Sequence, residues 1–139
     1  MEEAGDPIRP DRPGAIELGA ALLIVSGALG IIGLFAGGAS EPTWLRAVAV
    51  LTLSLNTAQV ILGILIRVGR LWIVSVNYAA VLGFLDLSAA GVSPLALMLG
   101  LADVVVVVIL VLNKPWFDAL GRWRSAQPLT PPTARPPTR

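Results

Sequence analysis

Four continuous apolar runs, at about 15–37, 44–66, 71–90 and 94–112, leave this chain few folds to choose from. Each is near the ~20 residues that a helix needs to cross a hydrocarbon core of ~30 Å. Backbone groups in hydrocarbon must find partners inside the protein, so only helices and closed barrels are open to such segments. Barrel strands alternate apolar and polar residues over about ten positions, and these runs do not alternate. The expected fold is therefore all-α, an antiparallel bundle of four transmembrane helices. The breaks GASEPT (38–43), RVGR (67–70) and AGVSP (90–94) are short, which makes consecutive helices antiparallel neighbours.

Composition agrees. Hydrophobic residues form 55% of the 139 and charged residues 14%, with a mean hydropathy of +0.79. A soluble domain of this size cannot hide so much apolar surface. Cysteine and histidine are absent. That excludes disulfides, His-ligated haem or metal, and any nucleophile activated by a neighbouring histidine. No cofactor is expected. A net charge of +1 without a basic stripe argues against nucleic acid as a partner. Nine of the ten cationic residues are arginine, and Ala, Gly, Val and Pro are frequent. This usage points to a high-GC bacterial genome, and so to the bacterial inner membrane.

Residues 1–14 are polar and proline-rich and read as a disordered arm; 126–139, AQPLTPPTARPPTR, read as a disordered Pro/Thr-rich tail, with Thr130 and Thr133 as possible modification sites. The first apolar run is not expected to be a cleaved signal, because Glu2, Glu3, Asp6 and Asp11 precede it and it is too long for an h-region. Between the last run and the tail, 113–125 carries Trp116, Phe117, Leu120 and Trp123 on one helical face. The pattern suits a short interfacial helix on the inner leaflet, or simple flanking anchorage of the fourth span.

Charge sets the orientation. Arg9, Arg12, Arg67, Arg70, Lys114, Arg122 and Arg124 fall on one side and Arg46 alone on the other. The positive-inside rule then places both termini and the RVGR corner in the cytoplasm. Arg67, Arg70, Trp72, Lys114, Trp116 and Trp123 are the expected interfacial anchors, with Trp44 at the opposite interface.

Helices in a bilayer associate through close backbone approach and interhelical hydrogen bonds. Each run supplies a stripe for this. Ala15, Gly19, Ser26, Gly30, Gly33 and Gly37 share a face of the first run, and Gly33–Gly37 is a literal GxxxG. Ala49, Thr52, Asn56, Gln59 and Gly63 mark the second, Ser75, Ala79, Gly83, Asp86 and Ala90 the third, and Ala96, Gly100 and Asp103 the fourth. The glycines expected to pack helices are Gly30, Gly33, Gly37, Gly63, Gly83 and Gly100.

Depth can be counted from the cationic end. Asn56 lies eleven residues before Arg67 and Asp103 eleven before Lys114, so the two share the midplane and are expected partners. Gln59 lies nearer the inner face and Asp86 nearer the outer one. A bare carboxylate at a helix centre costs about 2.5 to 3.5 kcal/mol on insertion scales. Asp103 is thus expected to be neutralised by protonation or to touch a water-filled cavity. Protonated, it can donate to the Asn56 or Gln59 carbonyl and tie helices two and four together. Alternatively it carries protons or binds a cation, with Asp86, Asn56 and Gln59 as further stations. Glu17, near the interface, is expected to snorkel or to pair with Arg9 or Arg12.

These residues favour a non-enzymatic bundle that works by association, as a homo-oligomer or a subunit of a larger membrane complex. A small proton-coupled or cation-selective transporter is the alternative. Carboxylates at three depths cannot converge on one metal, and no nucleophile has a base beside it, so an enzyme is not expected.

In topology the chain resembles the small multidrug resistance transporters. Their key glutamate lies well inside the first helix, whereas Glu17 is about three residues in, so that site is not carried over. The chain is more similar to uncharacterised four-helix membrane proteins of high-GC bacteria. The likeness rests on GAALLIVSGALGIIG in the first helix, the Gly69, Arg70, Trp72 corner, and Pro94 with ADVVVVV (102–108) in the last. It implies fold and membrane residence, and no activity.

Overall fold

In a computed structural model the chain is all-helical; the structure describes residues 8–36, 43–91 and 93–127. Five helices follow in order: α1 (Gly14–Ala36), α2 (Thr43–Arg67), α3 (Trp72–Ser88), α4 (Pro94–Leu112) and α5 (Lys114–Ser125). No strand occurs among the described residues. Gly37, the first seven residues and the tail beyond Gln127 lie outside them.

Three helices are long and apolar enough to cross a membrane, over Gly14–Phe35, Val48–Arg67 and Pro94–Leu112. The third apolar run forms a shorter helix than the expected 71–90. It has 17 residues, a rise of about 25 Å. Its boundaries have local causes. α2 stops at a Schellman motif, in which Gly69 at φ 69° lets its N–H reach the Ile66 carbonyl at 2.8 Å and the Arg70 N–H reach Leu65 at 3.0 Å. Leu71 then takes a left-handed conformation, φ 56° and ψ 33°, before the chain re-enters helix. α4 opens cleanly: Ser93 Oγ accepts from the Ala96 N–H at 3.3 Å, and Pro94 occupies the first turn, where its missing N–H is not needed.

α1 packs most closely on α2, and α3 on α4; α1 also lies along α4, while α2 and α3 barely meet. Glycines allow the close approaches. A Cβ at Gly63 would stand 2.9 Å from the Ala20 carbonyl oxygen, and one at Gly27 2.7 Å from that of Asn56. One at Gly100 would stand 2.9 Å from the Leu87 nitrogen. Gly33, by contrast, is exposed and meets only Leu95, at an ordinary 3.7 Å.

The arginine-rich end is closed by α5. The amphipathic segment 113–125 forms this helix, and its apolar face packs on the bundle. Trp116, Phe117 and Leu120 are buried and join Ile16, Ile66 and Leu110 in one core cluster. Pro115 breaks the helix after α4, and α5 turns back so that Leu120 and Trp116 fill the space a side chain at Gly69 would need. Trp116 meets Phe117 edge-on at 4.9 Å. Arg124 donates to the Val68 carbonyl and, at 2.9 Å, to that of Gly69, satisfying the free carbonyls where α2 ends.

The expected interfacial anchors therefore divide. Arg70 is exposed, and Lys114 pairs with Asp118 at 2.6 Å while facing the Trp72 ring at 5.5 Å. Trp72 donates its indole N–H to the Leu110 carbonyl at 2.8 Å. Trp116 is enclosed by protein rather than presented to headgroups, because the corner at Gly69 offers it a cavity. Trp123 is half-buried, with the Arg9 guanidinium 5.6 Å from its ring.

Candidate functional site

Asp103 stands at the centre of α4, nine residues from Pro94 and nine from Leu112. Gly100, Asp103, Val106 and Leu110 form the buried face of that helix, so the carboxylate points into the bundle. It is completely buried, at 0% exposure.

Two helices build its surroundings. From α2, Gln59 Nε2 donates to Asp103 Oδ1 at 2.8 Å. Gln59 is itself 3% exposed, so the bond is made away from water and lipid. From α3, Gly83 lets the acid come close: a Cβ there would lie 3.1 Å from the Asp103 Cβ. Asp86 follows one turn later on the same face of α3 as Gly83. Its side chain makes no hydrogen bond among the described residues, and it is half-buried.

Asn56 is not part of this cluster. Its amide donates to the Thr52 carbonyl at 2.8 Å, and its side chain fills the space beside Gly30 on α1. The expected pairing of Asn56 with Asp103 is replaced by the Gln59 bond. Three residues along a helix turn by about 300°, leaving Asn56 and Gln59 about 60° apart. One faces α1, the other α4.

Tyr78 escaped the sequence reading. Its hydroxyl donates to the Leu55 carbonyl at 2.5 Å, joining α3 to α2 one turn from Gln59. A tyrosine well inside an apolar run is a signal in itself, since a buried hydroxyl requires a partner. With α2 and α3 in little direct contact, the Tyr78 and Gln59 bonds are the polar links that draw α2 toward the α3–α4 pair.

One atom is left over. Asp103 Oδ2 is buried without a hydrogen-bond partner among the described residues. The carboxyl can thus hold a proton on that oxygen while the other accepts from Gln59. No group of three or more acidic side chains among the described residues is placed to hold a metal ion.

Glu17 belongs to a separate cluster at the arginine-rich end. It pairs with Arg12 and, at 2.8 Å, with Arg67, which fixes the start of α1 to the end of α2. The chain matches no protein-family model, no curated protein and no solved structure.

Proposed function

We propose that this is a four-span protein of the bacterial inner membrane with both termini cytoplasmic, a non-enzymatic helical component that works by association. It acts as a homo-oligomer or as a subunit of a larger membrane complex. α3 serves as the fourth span, its shortness met by a protein neighbour or a local thinning of the bilayer. The resemblance to four-helix proteins of high-GC bacteria fits this reading.

The observation that carries association is Asn77. It is exposed on α3, and its amide finds only the Ile73 carbonyl of its own helix, at 2.8 Å. In hydrocarbon the remaining amide N–H and C=O lack partners, and a neighbouring helix supplies them. The test is the oligomer distribution and co-purifying proteins in mild detergent. Asn77→Leu and Gly33→Leu, both at exposed positions, are expected to reduce assembly, and Asp103→Asn to preserve it. Unchanged assembly in both outer-face variants sinks the reading.

The unpartnered Asp103 Oδ2 favours a second reading, a small proton-coupled or cation-selective carrier in which Asp103 holds the proton. Purified protein in liposomes with a pH-sensitive dye decides it. Flux in wild type that Asp103→Asn abolishes supports the carrier; equal flux in both removes it.

A further inference from the structure

Burial is confined to one half of the bundle. On α1 the last buried residues are Ser26 and Gly27, and on α3 they are Leu82 and Gly83. On the antiparallel helices burial begins at Gln59 in α2 and at Gly100 in α4. Beyond this level, away from the arginines, no residue of 28–35, 48–58, 84–91 or 93–99 is buried. Gln59 and Asp103 stand on the boundary. Toward the arginines, Leu62, Ile66, Ala79, Val106 and Leu110 close the interior, with Leu120 of α5 behind them. Ser75 is a lone buried hydroxyl in that half, about two turns of α3 from Gly83. A single hydroxyl does not bridge so much apolar packing.

In the other half the half-buried positions include polar ones, Thr52 and Asn56 on α2 and Asp86 on α3. Asp86 stands one turn beyond Gly83, the residue that lies against Asp103. Between their charged ends the four long helices carry only two other titratable side chains, Asp86 and Tyr78. The Tyr78 hydroxyl is committed to the Leu55 carbonyl, and Gln59, the contact from α2, is uncharged. Asp86 is therefore the one group placed to pass a proton.

We propose that Asp103 exchanges its proton through Asp86 with the side of the membrane away from the arginines, and is closed to the arginine-rich side. A proton taken from water by the Asp86 carboxylate passes to Asp103 Oδ2, the oxygen without a partner among the described residues. Asp86 is left ionised and Asp103 neutral, with Oδ1 still accepting from Gln59. The inference rests on the carrier reading's premise that Asp103 holds a proton, and gives that acid a side.

The chain has no cysteine, so single cysteines in the full chain report water without background. In liposomes treated with a positively charged methanethiosulfonate, Thr52→Cys and Ala96→Cys are expected to react. Val76→Cys and Val107→Cys, packed against the core, and Phe84→Cys, on the lipid face, are not. Protection of the first pair, or reaction of Val76→Cys and Val107→Cys at the same rate, overturns the one-sided access. Infrared spectra in heavy water follow the proton itself, through the carboxylic-acid band that Asp103→Asn removes. Asp86→Asn is expected to slow hydrogen exchange of that band about a hundredfold, the contribution of a positioned proton-transfer group. Arg124→Ala, which loosens α5 at the other end, leaves the rate unchanged. Absence of the band, a rate that ignores Asp86→Asn, or one that rises with Arg124→Ala overturns the proposal. Flux judges the carrier separately. A protein without flux keeps the Asp86 route if Asp86→Asn slows exchange, whereas flux with exchange indifferent to Asp86 removes the route and not the carrier.

Discussion

Gly83 and Asp103 meet so closely that a methyl group at position 83 would stand 3.1 Å from the Asp103 Cβ. The glycine of one helix thereby makes room for the acid of the next. Across the bundle, Gln59 reaches the same carboxylate at 2.8 Å. A buried acid, an amide and a missing side chain thus act as one unit joining α2, α3 and α4.

The Gln59–Asp103 bond is expected to contribute about 0.6 to 2 kcal/mol, the range for interhelical hydrogen bonds in membranes. A double-mutant cycle of Gln59→Leu and Asp103→Leu, read by SDS-induced unfolding in mixed micelles, measures this coupling. Additive effects of the two substitutions would show that the bond contributes nothing.

Glycine substitutions should separate by position. Gly63→Ala and Gly27→Ala push a methyl group against backbone atoms at 2.9 and 2.7 Å, and are expected to destabilise by about 1–3 kcal/mol through overpacking. Gly33→Ala meets only Leu95 at 3.7 Å and should change the stability of the single chain by less than about 0.5 kcal/mol. The same unfolding assay compares them, and equal losses at all three sites would contradict the packing described.

Leu71 holds φ 56° without glycine's freedom. A left-handed conformation in an ordinary residue costs about 1–2 kcal/mol. Leu71→Gly should therefore stabilise the corner by up to about 1 kcal/mol, seen as slower local amide exchange around Arg70 and Trp72. Faster exchange would mean that the leucine's own contacts outweigh its strain.

Removal of Leu120, fully buried between α5 and the corner, should be the costliest change at the arginine-rich end. Leu120→Ala is expected to destabilise by about 2–5 kcal/mol. Arg124→Ala should expose α5 to limited proteolysis, because it frees the Val68 and Gly69 carbonyls. A wild-type cleavage pattern for Arg124→Ala would show that apolar packing alone holds the helix down.

Three of the helices were legible because apolar runs of about 20 residues match the thickness of a hydrocarbon core, and the spacing of Gly100 and Asp103 marks the inward face of α4. The partner of Asp103 was not. Counting residues gives depth, which favoured Asn56, but not direction around the axis, which favours Gln59. Which one faces α4 depends on how α1 seats its Gly27 and Gly30 against α2. The Tyr78 link was hidden for another reason: it ends on a backbone carbonyl, which no side-chain pattern advertises. For α5, an apolar stripe looks the same whether lipid or protein will cover it. Only the cavity above Gly69, formed by two other helices, decides between them.

The docking of α5 also has a bearing on biogenesis. Its contacts draw on the beginning of α1, the end of α2 and the end of α4, while the helix itself is made after all of them. Until residues 114–125 emerge from the ribosome, the corner at Gly69 has no cover and the carbonyls of Val68 and Gly69 have no donor. Closure of this end therefore waits for residues made after the three helices it ties together. A chain truncated before Lys114 would lack the latch that holds this end together.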